Sequence, residues 1–559
     1  MKKAIKAATK KIDVLPMVKH YITELNLYYI FDKQIPQKNN EDMAPAQVLC
    51  MMVMNIICAS RPLYRFSEWL ADYLDGMAEE QINASKYNDD RLGRCLDKLF
   101  ETDRNSIMTE LSGNAIKVHD LETKDVHNDS TSVTFTGEYE GQENATIKLA
   151  RGFNKDHRPD CKQIVFGLNI TSDGNVPLSF DLFDGNQTDD KTHVPNWEGL
   201  RELLSKEDFF YIADCKLCSM DNLDHIHDNG GKFITIVPKN RKEVKAFREY
   251  VQKHDVGWQD ANVVPDSRKK GKFVTYRTFE QTKGLKGYRL IWVHSSSKEK
   301  QDKGRREYAI KKAEKELVDL AKKLNKRKLK TREQIESATI KACKGKAALF
   351  DIKVTEEKKI IRKQSTPGRP GPSTIYHETE VIFFKLEYAL NKDAILGVSR
   401  MDGTFPLITN SSIDAAQVLK KYKNQPYLEK RMYTAKSILK VAPVFLKTPK
   451  RIEAMLFLYF VALMIVGLIE RNIRKSMKQE NVGKLPILPS KMKTATPTWN
   501  NLTNFFRNVH LSIISRQELI LSSSVNGVTD LHKHVLKLLK VPDNVYSNLR
   551  DNWWKFGPA

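Results

Sequence analysis

Three carboxylates stand at positions suited to phosphoryl-transfer chemistry. Asp129 lies in the run His127-Asn-Asp-Ser-Thr-Ser132, Asp214 directly follows the apolar run Phe209–Ala213, and Glu429 comes three residues after Pro426. An acid at the carboxyl end of an apolar strand points into the crevice where α/β sheets place their sites. A proline at the first helical position opens a helix, and a carboxylate in that first turn is favoured by the helix dipole. If the three converge, they can hold divalent cations. Two Mg²⁺ ions about 3.5–4 Å apart stabilise both the attacking and the leaving oxygen of an in-line displacement. Mg²⁺ prefers hard oxygen ligands, so Mg²⁺, with Mn²⁺ as the alternative, is the expected cofactor. Each of these acids is one of 69 in the chain, and taken singly each also reads as a surface or capping residue.

The elements that would position them are legible as periodicity. Val133 and Phe135 alternate with threonines, and Ile164–Ile170 and Val176–Phe183 flank the turn Ser172-Asp173-Gly174-Asn175, which predicts a hairpin. A helix over Trp197–Leu204, a strand over Phe209–Ala213, a helix over Asp221–Asn229 and a strand over Phe233–Val237 follow. Paired strands followed by alternating helices and strands describe an α/β fold with a mixed sheet. Residues 1–118 read as a helical unit, with apolar residues at helical spacing over Val14–Leu27, Pro45–Cys58, Leu63–Leu74 and Arg91–Leu111. Residues 239–399 are crowded with Lys and Arg. There Ile310, Ala313, Leu317, Leu320 and Leu324 predict one long amphipathic helix with a basic end running to Arg332. Thr366–Pro372 is a Pro/Gly loop, and Asp402-Gly403 is a turn before a strand at Phe405–Ile408.

Composition bounds the partners. The chain has 559 residues, 92 Lys+Arg against 69 Asp+Glu and a net charge of +23. That length predicts three or four domains. That charge predicts a polyanionic partner, nucleic acid first. Seven scattered cysteines make no disulfide framework, and the basic start lacks an apolar stretch after it, so an intracellular, reduced protein is expected. Ala454–Ile469 carries no charge over 16 residues. It is short for a membrane span and reads as a buried helix, so no membrane partner is expected.

A resemblance joins the three acids. The run from Tyr422 to Leu446 resembles the DDE transposases of bacterial insertion sequences, in the group marked by the signature Y-x2-R-x3-E-x6-K. Here the pattern is Tyr422, Gln425, Glu429 and Lys436, with Gln425 where the family has arginine. Asp129-Ser-Thr-Ser with Phe135-Thr-Gly137, Gly152 to Gln163, Phe183 to Asp189, Ala213-Asp214, Asp402 to Phe405 and Thr409-Asn410 match other stretches of that family in order. The resemblance implies a ribonuclease H-like core (119–238 and 400–475) interrupted by a basic inserted domain (239–399). A helical N-terminal domain for DNA binding or dimerisation (1–118) and a basic C-terminal region (476–559) complete the expected plan. It implies that Asp129, Asp214 and Glu429 are catalytic and bind metal. It also implies that Tyr422, Gln425 and Lys436 contact DNA, with Arg158, in another matched run, placed beside them. Lys436 follows Glu429 by two helical turns and is expected on its face. Tyr422, ahead of Pro426, is expected outside the regular helix.

The implied partners are double-stranded DNA, both transposon ends and target, bound by a homodimer in the nucleoid of a prokaryotic cytoplasm. Two alternatives stay open on the sequence: a related nuclease that cuts without joining, and a DNA-binding protein that keeps the scaffold without activity. Cys215-Lys-Leu-Cys218 with His225 and His227 invites a zinc reading, but the two histidines are too close in sequence for the common spacing. Gly368-Arg-Pro-Gly371 slightly resembles a minor-groove hook but reads better as a stiff loop.

Overall fold

The computed structural model describes residues 5–73, 83–135, 137–139, 146–152, 158–266, 271–326, 328–439, 446, 448–516, 519–542, 544–547, 549 and 556. Several sequence readings fall outside them: Leu74, Thr136, residues 153–157 of the matched run, the basic triplet 268–270, residues 440–445 and the Trp553-Trp554 pair. The protein is a mixed α/β chain of two compact units. One comprises residues 1–235, 409–411 and 420–559; the other comprises 236–408 and 412–419.

In the first unit the chain opens with a strand, β1 (Lys6–Lys11), and then runs through helices α1 (Leu15–Glu24), α2 (Leu27–Gln34), α3 (Pro45–Cys58), α4 (Phe66–Tyr73), α5 (Asp89–Glu101) and α6 (Arg104–His119). The predicted Val14–Leu27 helix is broken where Asn26 adopts a left-handed conformation, φ 55°. The Arg91–Leu111 stretch is two helices, because Asp103 caps the second by accepting from the Asn105 and Ser106 amides. The expectation of a wholly helical 1–118 misses β1. That strand pairs antiparallel with β13 (His510–Arg516), with Lys6 opposite Ser515 and Lys11 opposite His510. β13 pairs in turn with β14 (Leu519–Asn526).

The five strands that carry the site follow. β2 (Asp125–Phe135), β3 (Lys162–Thr171) and β4 (Pro177–Phe183) form an antiparallel meander. Its second turn has Gly174 at φ +76° and Asn175 at φ 60°, which suits a tight hairpin. After α7 (His193–Leu204), β5 (Phe210–Ile212) lies parallel to β2. After α8 (Met220–Asp228), β6 (Lys232–Ile236) lies parallel to β5. The order across the sheet is β4-β3-β2-β5-β6.

The second unit contains α9 (Lys242–Lys253), strands β7 (Gln259–Pro265), β8 (Phe273–Leu285) and β9 (Tyr288–Ser295), and helices α10 (Ser296–Ala321) and α11 (Arg332–Ala342). The expected helix to Arg332 ends at Ala321. Its basic continuation is a turn segment, and Thr331 opens α11 with a capping box to Gln334. A long hairpin, β10 (Phe350–Gln364) and β11 (Tyr376–Leu390), precedes α12 (Lys392–Ser399) and β12 (Thr404–Thr409).

The chain returns through α13 (Ala415–Tyr422) and α14 (Gln425–Tyr433) to α15 (Pro449–Gln479), then α16 (Trp499–Phe506), α17 (Asp530–Leu538) and the short α18 (Asn544–Ser547). α15 is long and apolar enough to cross a membrane, yet 94% of its most apolar window is buried within the protein. It packs against α3, α5 and β4 as the centre of the first unit's core. Its end charges are buried too: Glu470 accepts from Arg431 at 3.0 Å and from Arg474 at 3.2 Å.

Candidate active site

The site is built on one face of β2. Side chains at 125, 127 and 129 share that face because strand residues alternate. The backbone from Lys421 to Tyr433 runs along it as helix, with only Lys423 and Asn424 as a turn. Two successive contacts fix the alignment. Lys421 Nζ meets Asp125 Oδ1 at 2.6 Å, and one helical turn later Gln425 meets His127 at 2.9 Å. Two strand residues advance about 6.6 Å and four helical residues about 6.0 Å, so the steps stay matched. Glu429 is the next residue of α14 in that spacing, as Asp129 is the next of β2. Glu429 itself is exposed and Asp129 half-buried.

Asp214 arrives from the neighbouring strand. β2 and β5 pair in parallel with Asp125 opposite Phe210 and His127 opposite Ile212. The paired register ends at Ile212, and Asp214 follows two residues beyond it, as Asp129 follows His127 on β2. Asp214 is held at its backbone, since the Thr235 hydroxyl donates to its carbonyl at 2.5 Å, and its Oδ1 accepts from the Lys216 amide at 2.9 Å. Asp129 Oδ1 likewise accepts from the Ser130 amide at 2.8 Å.

Tyr422 lies at the meeting point. Burial pushes its hydroxyl well above the usual phenol range, and the charges of Asp214, Cys215, Glu429 and Asp129 push it further. The donor set suits a hard divalent cation. As placed, no three His, Cys, Asp or Glu among the described residues lie close enough together to ligate one ion.

The opposite face of the sheet makes this carriage rigid. Asn128 Nδ2 donates to Asn169 Oδ1 at 2.9 Å, and Asn169 Nδ2 donates to Ser179 Oγ at 2.9 Å and to Asn196 Oδ1 at 2.6 Å. Asn196 Nδ2 donates to the Tyr211 hydroxyl at 2.8 Å. These buried bonds tie β2, β3, β4, α7 and β5 into one network, and fully bonded buried networks rigidify what they join. α14 is anchored from its other side by Arg431, whose guanidinium also donates to the carbonyl of Asn175 at 3.0 Å.

The remaining expected site residues are placed as follows. Gln425, expected at the DNA backbone, is turned inward. Its Nε2 donates to the Asn128 carbonyl at 2.8 Å, so its Oε1 is the acceptor for His127 Nδ1–H at 2.9 Å. His127 Nε2 then accepts from the Ser172 hydroxyl at 2.9 Å. Tyr422, expected outside regular helix, is the last residue of α13. Glu429 lies beyond the first turn of α14, which contains no acid, so the dipole favours it less than the sequence suggested. Lys436, expected on the face of Glu429, sits half-buried in a π-helical turn, Thr434–Ile438. The wider π turn rotates everything after it, so seven residues no longer equal two α turns; such turns are frequent at functional sites. Arg158 is exposed and pairs with Asp160 at 2.9 Å.

Sequence reasoning missed His127, Ser172 and the Lys421–Asp125 rung. The available signal was the match between strand positions 125, 127 and 129 and helix positions 421, 425 and 429. The zinc reading finds no support among the described residues: His225 bonds Glu198 at 2.8 Å and His227 bonds Asn410 at 3.1 Å.

Residues 7–113 match a family described as a domain of unknown function, DUF4277. No curated protein matches the chain. Among solved structures, the cryo-EM structure of the piggyBac transposase synaptic complex with hairpin DNA is similar with a TM-score of 0.35 and 10% identity, over 90% of this chain and 82% of that one. A likeness of that size leaves the functional reading to the geometry of the site.

Proposed function

We propose that this chain is a metal-dependent DNA transposase of the DDE kind, cutting at the ends of a mobile element and joining them to target DNA. What supports the reading is that Asp129 lies on β2, Asp214 follows the end of the neighbouring parallel strand β5, and Glu429 lies on α14, whose Gln425 bonds β2 at His127 and Asn128. The sheet supports it: a three-stranded antiparallel meander followed by two parallel strands, ordered β4-β3-β2-β5-β6, is the arrangement expected of a ribonuclease H-like core.

Asp129, Asp214 and Glu429 would hold the divalent ions, Mg²⁺ or Mn²⁺. Bound there, the ions supply charge neutralisation at the phosphate and activation of the attacking oxygen. The chain's own residues fix the geometry. β2 and β5 hold two carboxylates at one level by register, and the Gln425 amide clamps α14 so that the third follows one turn on. Tyr422 stays protonated and offers a hydroxyl to the carboxylates or to a DNA phosphate. The partner is double-stranded DNA, and two DNA ends call for a homodimer.

The test uses a DNA fragment bearing the element's own ends, with wild type, Asp129→Ala, Asp214→Ala and Glu429→Ala, each with Mg²⁺ and with EDTA. Cutting and joining that require metal, and that vanish in all three variants while binding survives, are expected. Cutting without joined products would make the protein a nuclease. Binding without cutting in the wild type would make it a silent scaffold, and cutting that persists in any variant would remove that acid from the site.

A further inference from the structure

The long hairpin of the second unit takes no part in the site above. β10 and β11 pair over 15 residues each, from Phe350 opposite Leu390 to Gln364 opposite Tyr376. Its base has an ordinary core. Phe350 packs with Ile310, Leu317 and Cys343, and Val354 and Phe384 pack with Leu324 and Ile335. Beyond Val354 and Phe384 no residue of the hairpin is buried. Eight residues of each strand, 357–364 and 376–383, extend past that last core contact, about 27 Å at 3.4 Å per residue. A bare two-stranded hairpin is marginal in water. Exposed ion pairs such as Arg362–Glu378 at 2.6 Å and Lys358–Glu380 at 2.9 Å add little.

The charge of this projecting part is one-sided. Residues 357–383 carry Lys358, Lys359, Arg362, Lys363 and Arg369 against Glu357, Glu378 and Glu380, five minus three, a net +2. Glu380 and Glu378 are taken up by Lys358 and Arg362. Lys359 lies 3.6 Å from Glu357, which Lys385 holds more closely, and over the Phe383 ring, while Lys363 and Arg369 make no ion pair among the described residues. At the tip, the Ser365 amide donates to the Ile375 carbonyl at 3.0 Å and closes a loop in which Pro367 and Pro370 flank Arg369. Pro370 confines the backbone of Arg369, the residue before it, to extended conformations, while Gly368 lets the chain turn just ahead of the arginine.

We propose that this hairpin is an arm that grips duplex DNA, with Lys359 and Lys363 on backbone phosphates and Arg369 carried into a groove by the proline-held tip. The width of a two-stranded ribbon matches a DNA groove, and a lone arginine is well suited to the negative potential of a narrow one. The choice of DNA rests on the function proposed above, but the arm is separable from the three carboxylates.

The test is binding of the full chain to a 30-base-pair duplex in EDTA over a range of salt, for Asp129→Ala and for Asp129→Ala combined with Lys359→Ala, Lys363→Ala and Arg369→Ala. Each phosphate contact contributes about 0.9 to the slope of log affinity against log salt. The triple change is therefore expected to lower that slope by roughly 2 to 3 and to weaken binding at least tenfold at low salt. Pro367→Gly with Pro370→Gly is expected to keep the slope and speed dissociation. All five positions are exposed, so unchanged circular dichroism is the folding control. An unchanged slope in the triple variant would overturn the arm and leave the catalytic reading standing. Cleavage that survives Asp129→Ala would overturn the catalytic reading and leave the arm standing. A change of oligomeric state in Ile360→Ser with Ile382→Ser, without loss of DNA affinity, would assign this face to protein contact and overturn the proposal.

Discussion

Replacing Gln425 with alanine isolates what the clamp does for the third carboxylate. The substitution removes the acceptor for His127 Nδ1–H and the donor to the Asn128 carbonyl, bonds of 2.9 and 2.8 Å. Both partners lie inside the protein, His127 at 0% and Asn128 at 5% exposure. A buried polar group left without its partner costs about 1–3 kcal/mol, so the two together cost roughly 2–6 kcal/mol. That loss falls on the docking of α14 against β2, because Arg431 still holds the other side of the helix. Local opening should therefore become more frequent by about thirtyfold to ten-thousandfold, at 1.4 kcal/mol per decade. Native-state hydrogen exchange reads this directly at the amides of Leu428–Tyr433. Gln425→Glu refines the test: it keeps an acceptor for His127, loses the donor to Asn128, and sets a carboxylate against the imidazole. Burial holds His127 down at about 4, and the new charge should raise that value, visible in the ring resonances on titration. Exchange in α14 that stays within twofold of wild type in Gln425→Ala would refute the clamp.

Three further outcomes follow from the same geometry. Neutralising any one of the three acids (Asp129→Asn, Asp214→Asn or Glu429→Gln) relieves mutual repulsion, so thermal melting without metal should hold or rise. A fall of more than about 4 °C, roughly 1–2 kcal/mol, would mean the residue is structural. His127 and His193 are both held by burial at about 4, against an ordinary 6.5. The unfolded chain therefore takes up protons that the folded one refuses as pH falls from about 6.5 to 4, and stability should decline there by up to ~1.4 kcal/mol per unit for each histidine. Urea midpoints at pH 7, 5.5 and 4.5 check this, with His193→Gln flattening the curve. Arg431 is fully buried beside Glu470. Arg431→Met leaves Glu470 with Arg474 at 3.2 Å as its remaining cation and should cost about 1–3 kcal/mol, and adding Glu470→Gln should recover part of it, because the under-compensated buried charge is then removed.

Much of the sheet was legible because its strands are buried. Ile164–Ile170 and Val176–Phe183 are apolar runs divided by a Gly-Asn turn, and Phe209–Ala213 is apolar throughout, so their burial is written in their composition. β1 was invisible for the opposite reason. KAATKK is mostly exposed, and its partner lies 500 residues away, so no local signal marks it. The β10–β11 hairpin escaped likewise: beyond its base nothing is buried, and its alternation is between charges. At the site, the three acids could be singled out by position and resemblance. The role of Gln425 could not, because it depends on a bond to a histidine 298 residues distant. The π turn that rotates Lys436 away from the expected face has no sequence signature either.

The discontinuity of the first unit sets an order of events during synthesis. Its chain leaves at 235 and resumes stably only at 420, with 236–408 forming a separate compact body between. All of that intervening body, 236–408 and 412–419, has been synthesised while the sheet bearing Asp129 and Asp214 still lacks α14. Glu429 emerges 215 residues after Asp214, about 10–40 s at ordinary elongation rates. β1 waits longer still, since its partner β13 begins at His510. Until then an unpaired, lysine-rich strand is all that the start of the chain presents, and lysines are what keep a waiting edge from pairing with the wrong neighbour. The third carboxylate thus arrives only with α14, and a chain interrupted between α12 and α14 carries the other two and the completed hairpin.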